Sequence, residues 1–187
     1  MFNKVTDIIN VFIRTHVHDG SVVVDATCGN GFDTLYLSEI VGINGLVYAF
    51  DIDELAVNTT IDFLKENAKN NNYKIINDSH SNLKKYINFE IDACIFNLGY
   101  LPKNKHRFIT QANSTLEALN SVLDLLAVNG KVYIASYIKH EGGEEEYNAL
   151  KDVLVNLDKL LFNVVELIHI NRSDFAPRIF VVEKFRS

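Results

Sequence analysis

The sequence predicts an α/β fold: a Rossmann-like, seven-stranded, mostly parallel sheet with helices on both faces and a terminal antiparallel hairpin. Three observations predict it. Short β-branched or aromatic runs such as Val22-Val23-Val24 and Leu46-Val47-Tyr48-Ala49-Phe50 alternate with segments of helical periodicity, the pattern of βαβ units. Several of those runs end in a polar or acidic residue followed by small residues, as in Asp25-Ala26-Thr27-Cys28-Gly29-Asn30-Gly31. The last two strands, Phe162–Asn171 and Arg178–Lys184, follow one another with no helix between them, so they pair antiparallel.

In chain order, Val5, Ile8, Ile9, Phe12 and Ile13 recur at helical spacing and predict an amphipathic N-terminal helix within residues 1–20. Ser21–Ala26 is the first strand and Phe32–Ile40 the next helix. Leu46–Phe50 is a buried strand ending at Asp51, and a helix runs from Leu55 to Ala68, with Asp53 as its cap. Asn70-Asn71-Asn72 reads as a turn. Lys74–Asn77 and Ile91–Phe96 are strands. A helix capped by Thr110, Asn113 or Ser114 runs to Leu126 and closes at Asn129-Gly130. Lys131–Ser136 is the fifth strand. Glu144-Glu145-Glu146 opens a helix that reaches Asn156, the acidic turn suiting its positive end.

The 187 residues suit one domain with a substantial core, spanning 1–187. At 48% hydrophobic and 22% charged the chain is globular. A net charge of -6 argues against broad, non-specific nucleic-acid binding and leaves room for a local RNA contact. Cys28 and Cys94 lack metal-ligand spacing, so no metal is expected, and they read as reduced thiols of a cytoplasmic protein. No secretion signal and no membrane span are expected. Exposed apolar surface leaves a homodimer open.

The stretch Asp25-x-x-x-Gly29-x-Gly31 is a strand, a glycine turn and a helix start. It departs from the dinucleotide pattern G-x-G-x-x-G, which has a third glycine and no leading acid. An acidic strand end repels a pyrophosphate and suits a cationic amino group. The stretch therefore reads as the loop for the methionine end of S-adenosylmethionine, with Asp25, Cys28, Gly29, Asn30 and Gly31 as contacts. Asp51, at the next strand end, accepts from the ribose hydroxyls, with Asp53 beside it. Asp78, Ser79 and His80 border the adenine ring, with helix capping as the competing reading for Asp78 and Ser79.

Asn97-Leu98-Gly99-Tyr100 ends the central strand and resembles the Asn-Pro-Pro-Tyr tetrad of methyltransferases acting on planar nitrogen groups. Asn97 and a backbone carbonyl of Leu98 or Gly99 can accept hydrogens from an amine and aim its lone pair, while Tyr100 stacks on a base. Lys103, Lys105 and Arg107 form the densest basic run and offer contacts to RNA phosphates. His140, on the loop after the fifth strand, is the candidate base, with Glu141 beside it as a substrate contact.

Together with Ile109-Thr-Gln111 and His140-Glu-Gly-Gly143, these motifs resemble one family across nearly the whole chain. It is the small bacterial proteins labelled rRNA methylases (YtqB-like) and assigned as MnmM-type tRNA methyltransferases. The resemblance implies a class I methyltransferase that converts 5-aminomethyl-2-thiouridine at the tRNA wobble position to its 5-methylaminomethyl form, docking the anticodon arm. Lys103-Asn104-Lys105 stands where that family usually carries Gly-Gly-Asp, and Lys139 where it carries Gly, so the substrate loops depart from the pattern. The same tetrad would serve rRNA or a protein glutamine. A non-catalytic RNA-binding or cofactor-sensing protein on this scaffold is the alternative of another class.

Overall fold

The computed structural model describes residues 4–99, 112–139, 142–174 and 176–187. Within them the chain runs α1 (Val5–His16), β1 (Val22–Asp25), α2 (Phe32–Val41), β2 (Leu46–Asp51), α3 (Glu54–Asn67) and β3 (Tyr73–Asn77). It continues through a 3₁₀ turn (His80–Lys85), β4 (Ile91–Leu98), α4 (Ala112–Leu125), β5 (Leu126–Ser136), α5 (Gly143–Val155), β6 (Phe162–Leu167) and β7 (Arg178–Lys184). Among the described residues, seven strands form one sheet in the order β3-β2-β1-β4-β5-β7-β6.

The pairs β3–β2, β2–β1, β1–β4 and β4–β5 are parallel, whereas β7 runs antiparallel to both β5 and β6. Five strands thus deliver their carboxyl ends to one edge. The strand order reverses between β1 and β4, which opens the crevice where α/β folds place ligands.

The central strands are continuous apolar runs because both faces are covered. Alternate residues point to opposite faces. Val24, Cys94, Phe96 and Ile134 pack with Leu119 and Val122 of α4 and Leu150 and Leu154 of α5. Val23, Val47, Ile95 and Tyr133 pack with Ile9 and Ile13 of α1 and Leu37 and Val41 of α2. No described helix is long and apolar enough to cross a membrane.

The structure departs from the expected boundaries in four informative places. β4 continues through Asn97 and Leu98, because Asn97 pairs with Ala135 and Leu98 with Ser136 of β5. Asn129-Gly130 is not a helix end: α4 gives way directly to β5 at Leu126, and Asn129 takes a left-handed φ of 69° inside an irregularity of β5. Four residues lie between Leu126 and Lys131 where one lies between their partners Ile91 and Ala93, so the extra length bulges out. β6 ends at Leu167, short of Asn171. Asn72, expected in a turn, is buried. Its amide nitrogen donates to the carbonyls of Ser38 and Gly42 at 2.9 and 2.5 Å, and its oxygen accepts from the Ser38 hydroxyl at 2.6 Å. It thereby satisfies end carbonyls of α2 that lack helical partners.

Asn72→Ala should leave those buried groups unpaired and cost about 2–3 kcal/mol, since each orphaned buried group costs about 1–3 kcal/mol. A melting curve should fall by roughly 5–10 °C. A midpoint within about 1 °C of wild type would show that water replaces the amide fully.

Candidate active site

The crevice is built on Asp25, the last residue of β1 and fully buried. One of its oxygens accepts from the Thr27 backbone N–H at 3.1 Å, the other from the Thr34 hydroxyl at 2.6 Å. The carboxylate therefore folds the loop onto itself and ties it to the first turn of α2. Gly31 caps α2 with φ 83°, a left-handed conformation, and a Cβ there would sit 3.1 Å from Thr60 and 3.2 Å from Phe63. The Gly29 carbonyl accepts from the Thr60 hydroxyl at 2.8 Å, fastening the loop to α3. Asn30 is exposed at the loop tip. Cys28 is buried, and burial pushes its thiol well above the ordinary range, so it acts as a packed neutral group.

Asp51 ends β2 and faces the loop. Its oxygens accept from the backbone N–H groups of Gly29 and Asp53, each at 2.9 Å. Each carboxylate oxygen has a second lone pair, so both can still accept from a ligand. Asp53 caps α3 by accepting from the Leu55 N–H at 3.0 Å, the structural role expected for it.

On the β3 side, Asp78 is engaged within the chain. It accepts from the Ser79 N–H at 2.7 Å, the Asn82 amide at 2.8 Å and the Tyr86 hydroxyl at 2.9 Å. The Asn82 bond leads the causes that hold its carboxyl below the ordinary range. Ser79 caps the 3₁₀ turn. Capping thus accounts for both residues. His80 is different. Its ring is buried edge-on against Phe96, with centroids 5.8 Å apart, and Nδ1 lies 2.9 Å from the Ala26 carbonyl. Burial lowers its pKa, so the ring is neutral. Nδ1–H then donates to Ala26, which leaves Nε2 as a buried acceptor with no partner among the described residues.

Across the crevice stands Asn97 on β4. Its backbone N–H donates to the Thr27 hydroxyl at 2.8 Å, and its side-chain amide donates to Asp33 of α2 at 3.1 Å. The Leu98 side chain is fully buried, so only its backbone can meet a ligand. A Cβ on Gly99 would lie 3.5 Å from the half-buried ring of Tyr137, which follows β5. Tyr100, Lys103, Lys105, Arg107, His140 and Glu141 lie outside the described residues.

The electrostatics are one-sided. Burial, followed by the charge of Asp33, raises the Asp25 carboxyl to about 7. Burial also raises Asp33 and Asp51. Among the described residues no lysine or arginine forms an ion pair with these three. The pocket suits a cationic ligand. No cluster of metal-ligating side chains occurs among the described residues.

Sequence reasoning does not single out Thr27, Asp33, Thr34 or Tyr137. The available signal was Asp33-Thr34 directly after Gly31, which reads equally as an ordinary helix first turn.

The family model described as "Putative rRNA methylase" matches residues 47–183. The "tRNA (mnm(5)s(2)U34)-methyltransferase, chloroplastic" of Arabidopsis thaliana is 34% identical over 158 residues, covering 79% of this chain and 58% of that protein. The chain thus spans little more than half the length of that relative. Among solved structures, a "putative rRNA-methylase" from Clostridium thermocellum is 34% identical with a TM-score of 0.93, covering 98% of this chain and 99% of the other. A "putative methyltransferase" from Streptococcus mutans, in complex with SAH, is 33% identical with a TM-score of 0.87 and the same coverage.

The Asp25 carboxyl sits at about 7 in the folded chain against an ordinary value of 3.8. The folded chain therefore retains a proton that the unfolded chain has released, and stability from this group is full below about pH 4 and lost as pH rises through about 7. In urea titrations, Asp25→Asn should gain on wild type between about pH 5 and pH 8. A constant difference across that range would show that Asp25 titrates normally.

Proposed function

Since the chain belongs to the family described as "Putative rRNA methylase", we propose that it is an S-adenosylmethionine-dependent N-methyltransferase. Its proposed reaction converts 5-aminomethyl-2-thiouridine at the wobble position of tRNA to 5-methylaminomethyl-2-thiouridine. The sheet is that of class I methyltransferases. The observation that carries the reading is the bond from the Asn97 backbone N–H to Thr27. It holds an amide acceptor for an amine one hydrogen bond from the glycine loop. The relative from Arabidopsis thaliana, by its name, methylates that wobble nucleoside.

The residues present fit the cofactor. Three carboxyls, the buried Asp25 and the half-buried Asp33 and Asp51, would offset the positive charges of the sulfonium and the ammonium. Asp51 has lone pairs for the ribose hydroxyls beyond its two internal bonds. The unpartnered Nε2 of His80 supplies a neutral acceptor near the end of β1, for the adenosine portion. Cys28, Gly29, Asn30 and Gly31 supply backbone for the methionine end. When bound, the cofactor supplies an electrophilic methyl group on sulfur.

The protein's work is alignment. A free amine rotates, and only some orientations aim its lone pair along the carbon–sulfur axis. Asn97 Oδ1 and the Leu98 carbonyl accept amine hydrogens and select those orientations. The wall formed by Tyr137 beside Gly99 borders the base, and Tyr100 stacks on it. Lys103, Lys105 and Arg107 meet the phosphates of the anticodon arm, and His140 and Glu141 receive the proton and contact the substrate. A cytoplasmic location and a homodimer through exposed apolar surface belong to the same proposal.

The decisive experiment incubates tRNA from a strain lacking this activity with the protein and S-adenosylmethionine, then digests it for mass spectrometry. A gain of the methylaminomethyl nucleoside matched by loss of the aminomethyl one supports the proposal. Methyl transfer only to rRNA or protein, or none, overturns it.

Asn97→Ala should lower kcat by about 10²–10³ while changing either ligand's affinity little, because alignment acts chiefly in the transition state. If Ala lowers the melting temperature and spares the single-turnover rate, Asn97 is only a strand-end brace.

A further inference from the structure

An asparagine amide presents two nearly isosteric atoms with opposite chemistry. Oδ1 accepts hydrogen bonds; Nδ2 only donates. An amine or ammonium group is rich in N–H donors, so it binds to the oxygen and is repelled by the amide hydrogens. For Asn97, a rotation of half a turn about the last side-chain bond would exchange an aligning acceptor for a blocking donor. That torsion is intrinsically broad, so something outside the residue must choose.

Resting on the reading above, we infer that Asp33 is a positioning residue that fixes the flip of the Asn97 amide and so presents its oxygen to the amine substrate.

The geometry carries this. The Asp33 carboxylate lies 3.1 Å from the Asn97 amide nitrogen, although the two residues are 64 positions apart in the chain. Ionised, the Asp33 carboxylate can only accept, so the amide atom that faces it is the NH₂ group. The oxygen is thereby turned away from α2 and left without that partner. Both anchor points are rigid. Asn97 is inside β4, paired with Ala135 of β5 and held by Thr27 through its own N–H. Asp33 is in the first turn of α2, one residue from Thr34, whose hydroxyl is bonded to Asp25. The two ends therefore cannot drift to let the amide turn over without breaking those bonds.

A hydrogen bond to a charged group biases its two alternatives by roughly 10- to 100-fold. Asp33→Asn removes the bias, because an amide on α2 can donate or accept and the two amides can pair either way round. The reciprocal exchange, Asp33→Asn with Asn97→Asp, restores it. The amide on α2 then donates to the carboxylate on β4, whose other oxygen accepts from the substrate, and the net charge of the pocket is unchanged. Because the exchange also restores the bond between α2 and β4 and the charge of the pocket, a loss confined to kcat and the amide-exchange measurement below separate the fixed flip from a structural or electrostatic role.

The test measures single-turnover methyl transfer to tRNA carrying the aminomethyl nucleoside, at saturating S-adenosylmethionine, for wild type, D33N, N97D and D33N/N97D. D33N should lose about 10- to 100-fold in kcat with KM for tRNA within about twofold, and the double variant should regain at least about tenfold over D33N. A D33N rate within about twofold of wild type, or a double variant no faster than D33N, overturns the proposal. A second measurement needs no substrate. In nitrogen-15 spectra of the full chain, the Asn97 side-chain amide protons should exchange slowly in wild type and as fast as exposed amides in D33N. Fast exchange in wild type also overturns it. Wild type inert on this tRNA would remove the wobble-nucleoside reading alone, with the amide-exchange result still deciding for or against Asp33.

Discussion

The crevice depends on one buried carboxyl, Asp25. A charge out of contact with solvent is costly unless its oxygens are hydrogen-bonded. Asp25 meets that condition by recruiting the Thr27 N–H and the Thr34 hydroxyl, and in doing so it bends the chain out of β1 and into α2. Thr27, held in this way, offers its hydroxyl to the Asn97 N–H. Thr34, held in the same way, fixes the turn of α2 that carries Asp33 toward the Asn97 amide. The loop, the helix start and the end of β4 are thus three consequences of one buried acid.

The same acid makes the pocket electrostatically unfinished. Burial makes Asp25, Asp33 and Asp51 each resist ionisation, Asp25 also feels the charges of the other two, and no described basic side chain compensates them. A cationic ligand would complete the charge balance and favour the ionised forms. Under the proposed chemistry, the sulfur loses its positive charge when the methyl group leaves. Part of the attraction that holds the ligand then disappears at the step after which it must depart. Carboxyls that resist ionisation on their own are in this sense matched to a cationic ligand.

Most of the architecture was legible because buried parallel strands are written as unbroken apolar runs, and all seven were read in order. What escaped shares a physical reason: one residue type serves two purposes. Asn129-Gly130 suits a helix end and equally a left-handed residue within a bulge. Asp78 and Ser79 suit a ligand and equally a 3₁₀ turn, and the structure occupies them with Ser81, Asn82 and Tyr86. Asp33 looks like an acid matched to a helix dipole, and its partner lies on a strand 64 residues away, beyond the reach of any local pattern. Asn97 was legible because a polar residue ending the central strand has no use in the core. Asn72 was not, since three asparagines in a row give no sign that one of them turns inward.

The placement of Asn97 also explains how a strand can end at the crevice without fraying. As β1 turns away, the backbone ladder it shares with β4 continues one step further, from the Ala26 N–H to the Ile95 carbonyl. The next β4 donor, the Asn97 N–H, would face a gap where β1 has gone, and an unpaired buried donor is costly. The Thr27 hydroxyl fills that place and prolongs the ladder with a side chain after the main chain has left. On its other side Asn97 still pairs with Ala135. The residue is therefore held as firmly as one in the middle of the sheet, yet its side chain stands at the point where β1 and β4 part. Alignment chemistry needs both properties: a gap wide enough for two substrates and a backbone that does not move when they arrive.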